Sequence, residues 1–130
     1  MCPVGFFSIV AARNKQTGVV DPATVIVRAR DRKHLEGLKA QFPEHLSGAE
    51  IVETPHRDYA CRLVVPKAAW VSVAAGLAES VVYHNFKSEA ERVNGPGPYV
   101  DALHRVWAVM LQLQFPVSRG VWRGDLPWKE

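Results

Sequence analysis

The sequence has few cysteines and no long apolar run. Its two cysteines, Cys2 and Cys61, form no C-x-x-C pair, so both are expected to be reduced thiols rather than parts of a disulfide framework. No stretch approaches the ~18 uninterrupted apolar residues that a membrane span requires, and the first residues lack the basic region of a secretory signal. We therefore expect a cytoplasmic protein with no membrane contact.

The sequence also lacks a recognisable metal, cofactor or catalytic motif. Its five histidines are scattered, with no pair spaced four residues apart on a helix and no adjacent cysteine cluster. Cys61 falls within an apolar run, where a thiol usually serves as a small hydrophobe. We expect no metal and no cofactor, and the sequence favours a binding protein over an enzyme.

The positive charge is modest and local. The formal net charge is +3, well below that of a dedicated nucleic-acid-binding domain. Residues 10–40 nevertheless carry seven Lys or Arg against three Asp or Glu. A basic surface is therefore predicted in this part of the chain, where it would attract an anion.

Periodicity predicts an α+β fold. Apolar, β-branched runs predict two strand pairs, and spacings of three and four predict the helices, of which the last should be the most buried. The predicted strands are 6–12, 24–30, 50–54 and 59–65, and the predicted helices are 32–41, 67–80, 87–93 and 99–114. The order β-β-α-β-β-α-α-α favours a two-layer sandwich with an antiparallel four-stranded sheet and helices on one face.

One domain and a tail are predicted. Residues 1–114 should form the single α+β domain, and residues 115–130 an irregular tail. Trp122 and Trp128 in this tail are flanked by cations, a composition typical of interface anchors. The tail is expected to dock on the domain itself or on a protein partner, and a homodimer is the commonest such assembly.

Alternation along the strands places three arginines together. Arg28 and Arg30 share one face of the second strand, and Arg62 lies on the corresponding face of the fourth. Tyr59 is assigned to the opposite, apolar face. Three guanidinium groups on the uncovered side of the sheet would suit phosphate or carboxylate binding. Alternatively, they face water or pair with the acidic residues Glu50, Glu53 and Asp58.

A second candidate segment joins two helices. Tyr83, His84, Asn85 and Lys87 concentrate polar and aromatic groups at this junction, and such loops often carry binding residues. The alternative is structural, with Asn85 capping the next helix while Tyr83 and Phe86 anchor the loop.

Several of these residues occur together in a pattern. It runs Arg28-Ala29-Arg30, Asp58-Tyr59 with Arg62, Tyr83 with Asn85-Phe86-Lys87, and Tyr99 with Leu103, Val106-Trp107 and Met110. The pattern resembles a group of small uncharacterised bacterial proteins over residues 6–114. The resemblance implies a single domain, and it implies no activity, cofactor or catalytic residue.

Three functional hypotheses follow from the sequence. The leading one is a non-enzymatic protein that holds an anionic partner, whether nucleic acid, nucleotide or acidic protein surface, on the arginine face and the 83–87 loop. The second is an assembly module that acts through Trp122 and Trp128. The third is a small hydrolase or nuclease that uses His56, Asp58 or His84.

Overall fold

The computed structural model describes residues 1–115, which form a four-stranded antiparallel sheet and five helices. The α+β architecture with helices on one sheet face is confirmed, although an additional short helix interrupts the predicted order. No helix in the described part of the chain is long and apolar enough to cross a membrane. The strands are β1 (Ser8–Arg13), β2 (Val20–Ala29), β3 (Val52–Glu53) and β4 (Cys61–Pro66), and the helices are α1 (Arg32–Gln41), α2 (Pro43–Leu46), α3 (Lys67–Glu79), α4 (Phe86–Asn94) and α5 (Pro98–Leu111).

The sheet has the order β1-β2-β4-β3, so the second strand of each hairpin lies at the centre. The two central strands pair in antiparallel register, with Arg28 opposite Arg62. Alternate side chains of these strands face the helices and form the core with α1, α2 and α3. The buried strand residues are Val25, Val27, Ala29, Cys61, Leu63 and Val65.

Strand β2 starts four residues earlier than predicted, at Val20. Asp21-Pro22 is a pair typical of turns, but here it lies within β2, where the pairing of β1 with β2 jumps from Val25 to Asp21 between Ala11 and Ala12. Such a bulge accommodates proline because its missing N–H is not needed for the ladder. The turn itself lies at 14–19, where Gly18 has a φ of 72°.

Helix α1 extends over the predicted range and is capped as expected. The Asp31 carboxylate accepts a hydrogen bond from the Lys33 N–H at 2.9 Å, and Leu35 and Leu38 are fully buried. Helix α5 buries Val100, Leu103 and Ala108, as many residues as α1. Its Met110 is 52% exposed, because this helix packs mainly on α4 rather than on the sheet.

The N-terminal segment, residues 2–7, is an integral part of the fold. It passes between α1 and the α4–α5 pair, and its backbone carbonyls accept hydrogen bonds from Asn94 Nδ2 at 2.6 Å and from the Tyr99 hydroxyl at 2.9 Å. Gly5 is buried against His34 of α1 so closely that a Cβ at Gly5 would lie 2.6 Å from the His34 Cβ. This segment therefore links the two groups of helices.

Candidate functional site: an arginine cluster on the open sheet face

The structure brings the three predicted arginines together at one end of the open sheet face. Arg28 lies directly opposite Ser8 on one side and Arg62 on the other. Directly opposed residues of antiparallel strands point to the same face. The Arg28 Nη2 donates a hydrogen bond to the Ser8 hydroxyl at 2.6 Å, whereas its buried Nε has no hydrogen-bond partner among residues 1–115.

Tyr59 is the aromatic centre of this group. Its ring centroid lies 4.6 Å from the guanidinium carbon of Arg28 and 4.2 Å from that of Arg30, which is within the range of cation–π contact. The assignment of Tyr59 to the apolar face was wrong. Strand β4 begins only at Cys61, so strand alternation does not extend back to Tyr59, which belongs to the preceding loop.

Thr54 shapes the loop that carries Tyr59. Its N–H donates to the Ala60 carbonyl at 2.7 Å and its hydroxyl to the Tyr59 carbonyl at 2.7 Å. The same hydroxyl accepts a hydrogen bond from the Arg62 Nε at 3.3 Å. Thr54 therefore holds both the loop backbone and one guanidinium, a role that only the folded arrangement of β3 and β4 reveals.

A fourth arginine from the same loop completes the cationic surface. A shallow depression of about 330 Å³ is lined by Arg28, Arg57, Asp58, Tyr59 and Arg62. We call these five residues, with Arg30, the arginine–tyrosine cluster. Sequence reasoning did not assign Arg57 and Tyr59 to the binding site. The signal that could have indicated them was the polar turn immediately before Cys61, the first residue of β4.

The positive charge of the cluster has no acidic partner in the described part of the chain. None of its four arginines forms an ion pair with an acidic side chain of residues 1–115, and Asp58 lies in the depression without such a contact. Glu53, one of the alternative partners, instead pairs with Arg32 at 2.7 Å. Within residues 1–115, the sequence alternative of neutralised arginines is therefore not observed.

The pKa directions agree with this geometry. Burial, together with the nearby charges of Arg57 and Arg28, lowers the pKa of Arg62. A hydrogen bond to Ser8, and then contact with Arg30 and Arg28, lowers the pKa of Tyr59. The neighbouring arginines are a secondary cause of both shifts, after burial for Arg62 and after the hydrogen bond to Ser8 for Tyr59.

Apolar side chains continue the same face beyond the arginines. Val10 lies opposite Ile26, and Ile26 lies opposite Val64, one row along from Ser8, Arg28 and Arg62. Val10 is 37% and Val64 50% exposed. The open face therefore offers a cationic end and an adjacent apolar surface.

The Tyr83–Lys87 segment makes structural contacts instead of joining the cluster. The Asn85 side chain accepts a hydrogen bond from the Ser88 N–H at 3.0 Å and caps α4. The rings of Phe86 and Trp107 pack edge to face at 5.8 Å, Lys87 lies over Trp107, and Tyr83 contacts Phe86. His84 is exposed. No hydrogen bond, ion pair or ring contact within residues 1–115 links this segment to the arginines.

Of the remaining candidates, Asp58 lines the depression and so belongs to the arginine–tyrosine cluster. Cys61 is buried, its thiol lies 3.4 Å from the Ala29 carbonyl, and burial raises the pKa of the thiol. His56 and Asp58 share an exposed loop. Among residues 1–115, no three His, Cys, Asp or Glu side chains are placed to hold a metal. Trp122 and Trp128 lie outside the described residues.

The described residues form a two-layer α+β fold whose open sheet face carries the arginine–tyrosine cluster and an adjacent row of apolar side chains. Comparisons of the chain with protein-family models, curated proteins and solved structures return no match. The chemistry of the side chains is therefore the basis for proposing a function.

Proposed function

We propose that the protein binds single-stranded nucleic acid on its open sheet face and carries out no reaction there. The observation that carries the proposal is the arginine–tyrosine cluster: four arginines lie around one tyrosine, and none of them is ion-paired to an acidic side chain of residues 1–115, although Asp58 lines the same depression. Guanidinium groups bind phosphate oxygens through paired N–H donors.

Two features favour a nucleic acid over an acidic protein surface. Exposed bases stack on tyrosine and on guanidinium planes, and both are present at the cluster. The neighbouring row of Val10, Ile26 and Val64 supplies apolar surface for further bases beyond the phosphate contacts. A duplex, with its bases stacked inside, would use only the charges.

The test is fluorescence anisotropy with a mixed-sequence single-stranded oligonucleotide at several salt concentrations. Three to four phosphate contacts predict a slope of about −2 to −3 in log affinity against log salt concentration. Arg28→Ala and Arg30→Ala should each weaken binding about tenfold and make this slope shallower.

Arg105→Ala is the matched control, because it removes the same charge from an exposed position on α5 outside the cluster. It should leave the affinity within about twofold of the wild type. Equal affinity in Arg28→Ala, Arg30→Ala and the control would refute the proposal. A duplex of the same length that binds as tightly as the single strand would refute the role assigned to base stacking.

A further inference from the structure

A second concave site lies beside the junction between β2 and α1. A cavity of about 300 Å³ opens where the N-terminal segment, the start of α1 and the first turns of α5 meet. Its volume is at the lower end of the range for small-molecule pockets. Residues that shape it include Phe6, Arg30, His34, Tyr99, Leu103 and Val106.

The walls of this cavity are mainly apolar. Phe6 and Tyr99 contribute ring surface, and Leu103 and Val106 contribute aliphatic surface from one side of α5. Tyr99 cannot turn its hydroxyl into the cavity without losing its hydrogen bond to the Cys2 carbonyl at 2.9 Å. The cavity therefore offers a site for an apolar ring or a short acyl chain.

Two hydrogen-bond donors lie among these apolar walls. The Nδ1 of His34 accepts a hydrogen bond from the Phe6 N–H at 3.3 Å, so the neutral imidazole carries its proton on Nε2. This Nε2–H has no partner among residues 1–115, and His34 is only 9% exposed. Arg30 also lines the cavity; its guanidinium lies 4.2 Å from the Tyr59 ring centroid and supplies the second donor when it turns toward the cavity.

The charges of Arg30 and Asp31 cancel at the cavity, which disfavours a ligand with two negative charges. Arg30 is positive, and the Asp31 carboxylate also lines the cavity while it caps α1 through the Lys33 N–H. Burial lowers the pKa of His34 and keeps its imidazole neutral near pH 7. A dianionic phosphate would face Asp31 with only one cation beside it, whereas a carboxylate can take both donors.

We propose that this cavity binds a small amphipathic carboxylate, with the apolar body between Phe6, Tyr99 and Leu103 and the carboxylate at Arg30 and His34. This proposed site is distinct from the proposed nucleic-acid surface, and the two share only Arg30. Because Arg30 also lies over Tyr59 on the sheet face, the two ligands would compete for one guanidinium.

The probe is naphthoate, titrated into the isotope-labelled full chain and followed by amide NMR. Naphthamide serves as the neutral analogue, and inorganic phosphate as an anion without an apolar group. Naphthoate should shift the resonances of Phe6, His34 and Leu103, and naphthamide should bind at least tenfold more weakly. Equal binding of naphthoate and naphthamide, or shifts confined to Tyr59 and Arg62, would overturn the proposal.

Two variants separate this site from the sheet face. Ala102 lines the cavity and is exposed, so Ala102→Phe should fill the cavity, abolish naphthoate binding and leave oligonucleotide affinity unchanged. Ala75→Phe makes the same change at an exposed position of α3 away from the cavity and should bind naphthoate normally. Unaltered naphthoate binding in Ala102→Phe would refute the cavity site while leaving the nucleic-acid proposal intact.

The contribution of Arg30 is tested by Arg30→Leu, which retains apolar bulk at the cavity. Naphthoate should bind this variant about tenfold more weakly, while naphthamide should bind it as it binds the wild type. A parallel loss of both ligands would show that the variant disturbs the cavity, and the charge-recognition part of the proposal would then be rejected.

Discussion

Arg28 and Arg62 face each other across the two central strands of the sheet. Like charges in directly opposed positions destabilise a sheet, and neither guanidinium has an ion-paired carboxylate in residues 1–115. This arrangement costs stability, and a third and a fourth arginine lie beside it. Such a group of like charges is typical of a site that binds an anion.

Removing one of these facing charges should therefore stabilise the protein while it weakens binding. We expect Arg62→Gln to raise the free energy of unfolding by a few tenths of a kcal/mol at low ionic strength. The gain should shrink at high salt because ions screen the repulsion. Urea denaturation at two salt concentrations measures both effects. A clear loss of stability at low salt would contradict the interpretation of this pair as repulsive.

Thr54 is predicted to position the cluster without adding charge. Thr54→Val removes the hydroxyl that holds the Tyr59 carbonyl and the Arg62 Nε, so oligonucleotide affinity should fall severalfold. Thr54→Ser keeps the hydroxyl and should bind like the wild type. The salt dependence should remain unchanged in both variants, because all four arginines are present. A salt slope altered as in Arg28→Ala would argue against a purely positioning role.

The close approach at Gly5 can be tested by one added methyl group. Gly5→Ala would place its Cβ 2.6 Å from both Cβ and Cγ of His34, and the required shift should cost about 1–3 kcal/mol of unfolding free energy. Gly48→Ala is the matched control, since no atom lies within 4 Å of its added Cβ. Equal stability of the two variants would show that the N-terminal segment adapts freely.

Stability should depend on pH through His34. Burial lowers the pKa of His34 in the folded chain below its ordinary 6.5, although Asp31 opposes this shift. The unfolded chain therefore takes up a proton first as the pH falls. The contribution of neutral His34 is complete above pH 6.5 and decreases below it.

Tyr99 also packs against this imidazole, and burial raises the pKa of its hydroxyl, which stays neutral. Denaturant unfolding of the wild type and His34→Gln at pH 7.5 and pH 5 measures the effect. The wild type should lose more stability than the variant between these two values. An equal loss would assign the pH dependence to other groups.

Substitutions at the N-terminal cap of α4 distinguish an effect on stability from an effect on oligonucleotide binding. Asn85→Ala should cost about 1 kcal/mol, because the Ser88 N–H loses its acceptor, and Asn85→Asp should preserve most of the stability. Oligonucleotide affinity should not change in Asn85→Ala if the Tyr83–Lys87 segment is structural. Weaker binding by both Asn85→Ala and His84→Ala, with the fold intact, would extend the binding surface to this segment.

Local rules accounted for much of the fold. Alternation along β2 and β4 assigned Val25, Val27, Leu63 and Val65 to the core because strand side chains point alternately to opposite faces. The Asp31 cap and the spacing of Leu35 and Leu38 determined α1. These predictions depend only on neighbours within a few residues, and they were confirmed.

Long-range pairing could not be obtained in this way. Sequence alternation placed Arg28 and Arg62 on the same face, but only the pairing of β2 with β4 made them direct partners. Tyr59 was assigned to the wrong face, because its position is determined by the loop that Thr54 holds and by two arginines from another strand.

The sequence by itself thus determined the α+β class, the buried strand faces and the common side of Arg28, Arg30 and Arg62. Each of these follows from periodicity within one element. Tertiary structure alone decided the strand order, the place of Tyr59 within the arginine–tyrosine cluster and the cavity beside His34. These features depend on contacts between segments far apart in the chain, which periodicity within one element does not report.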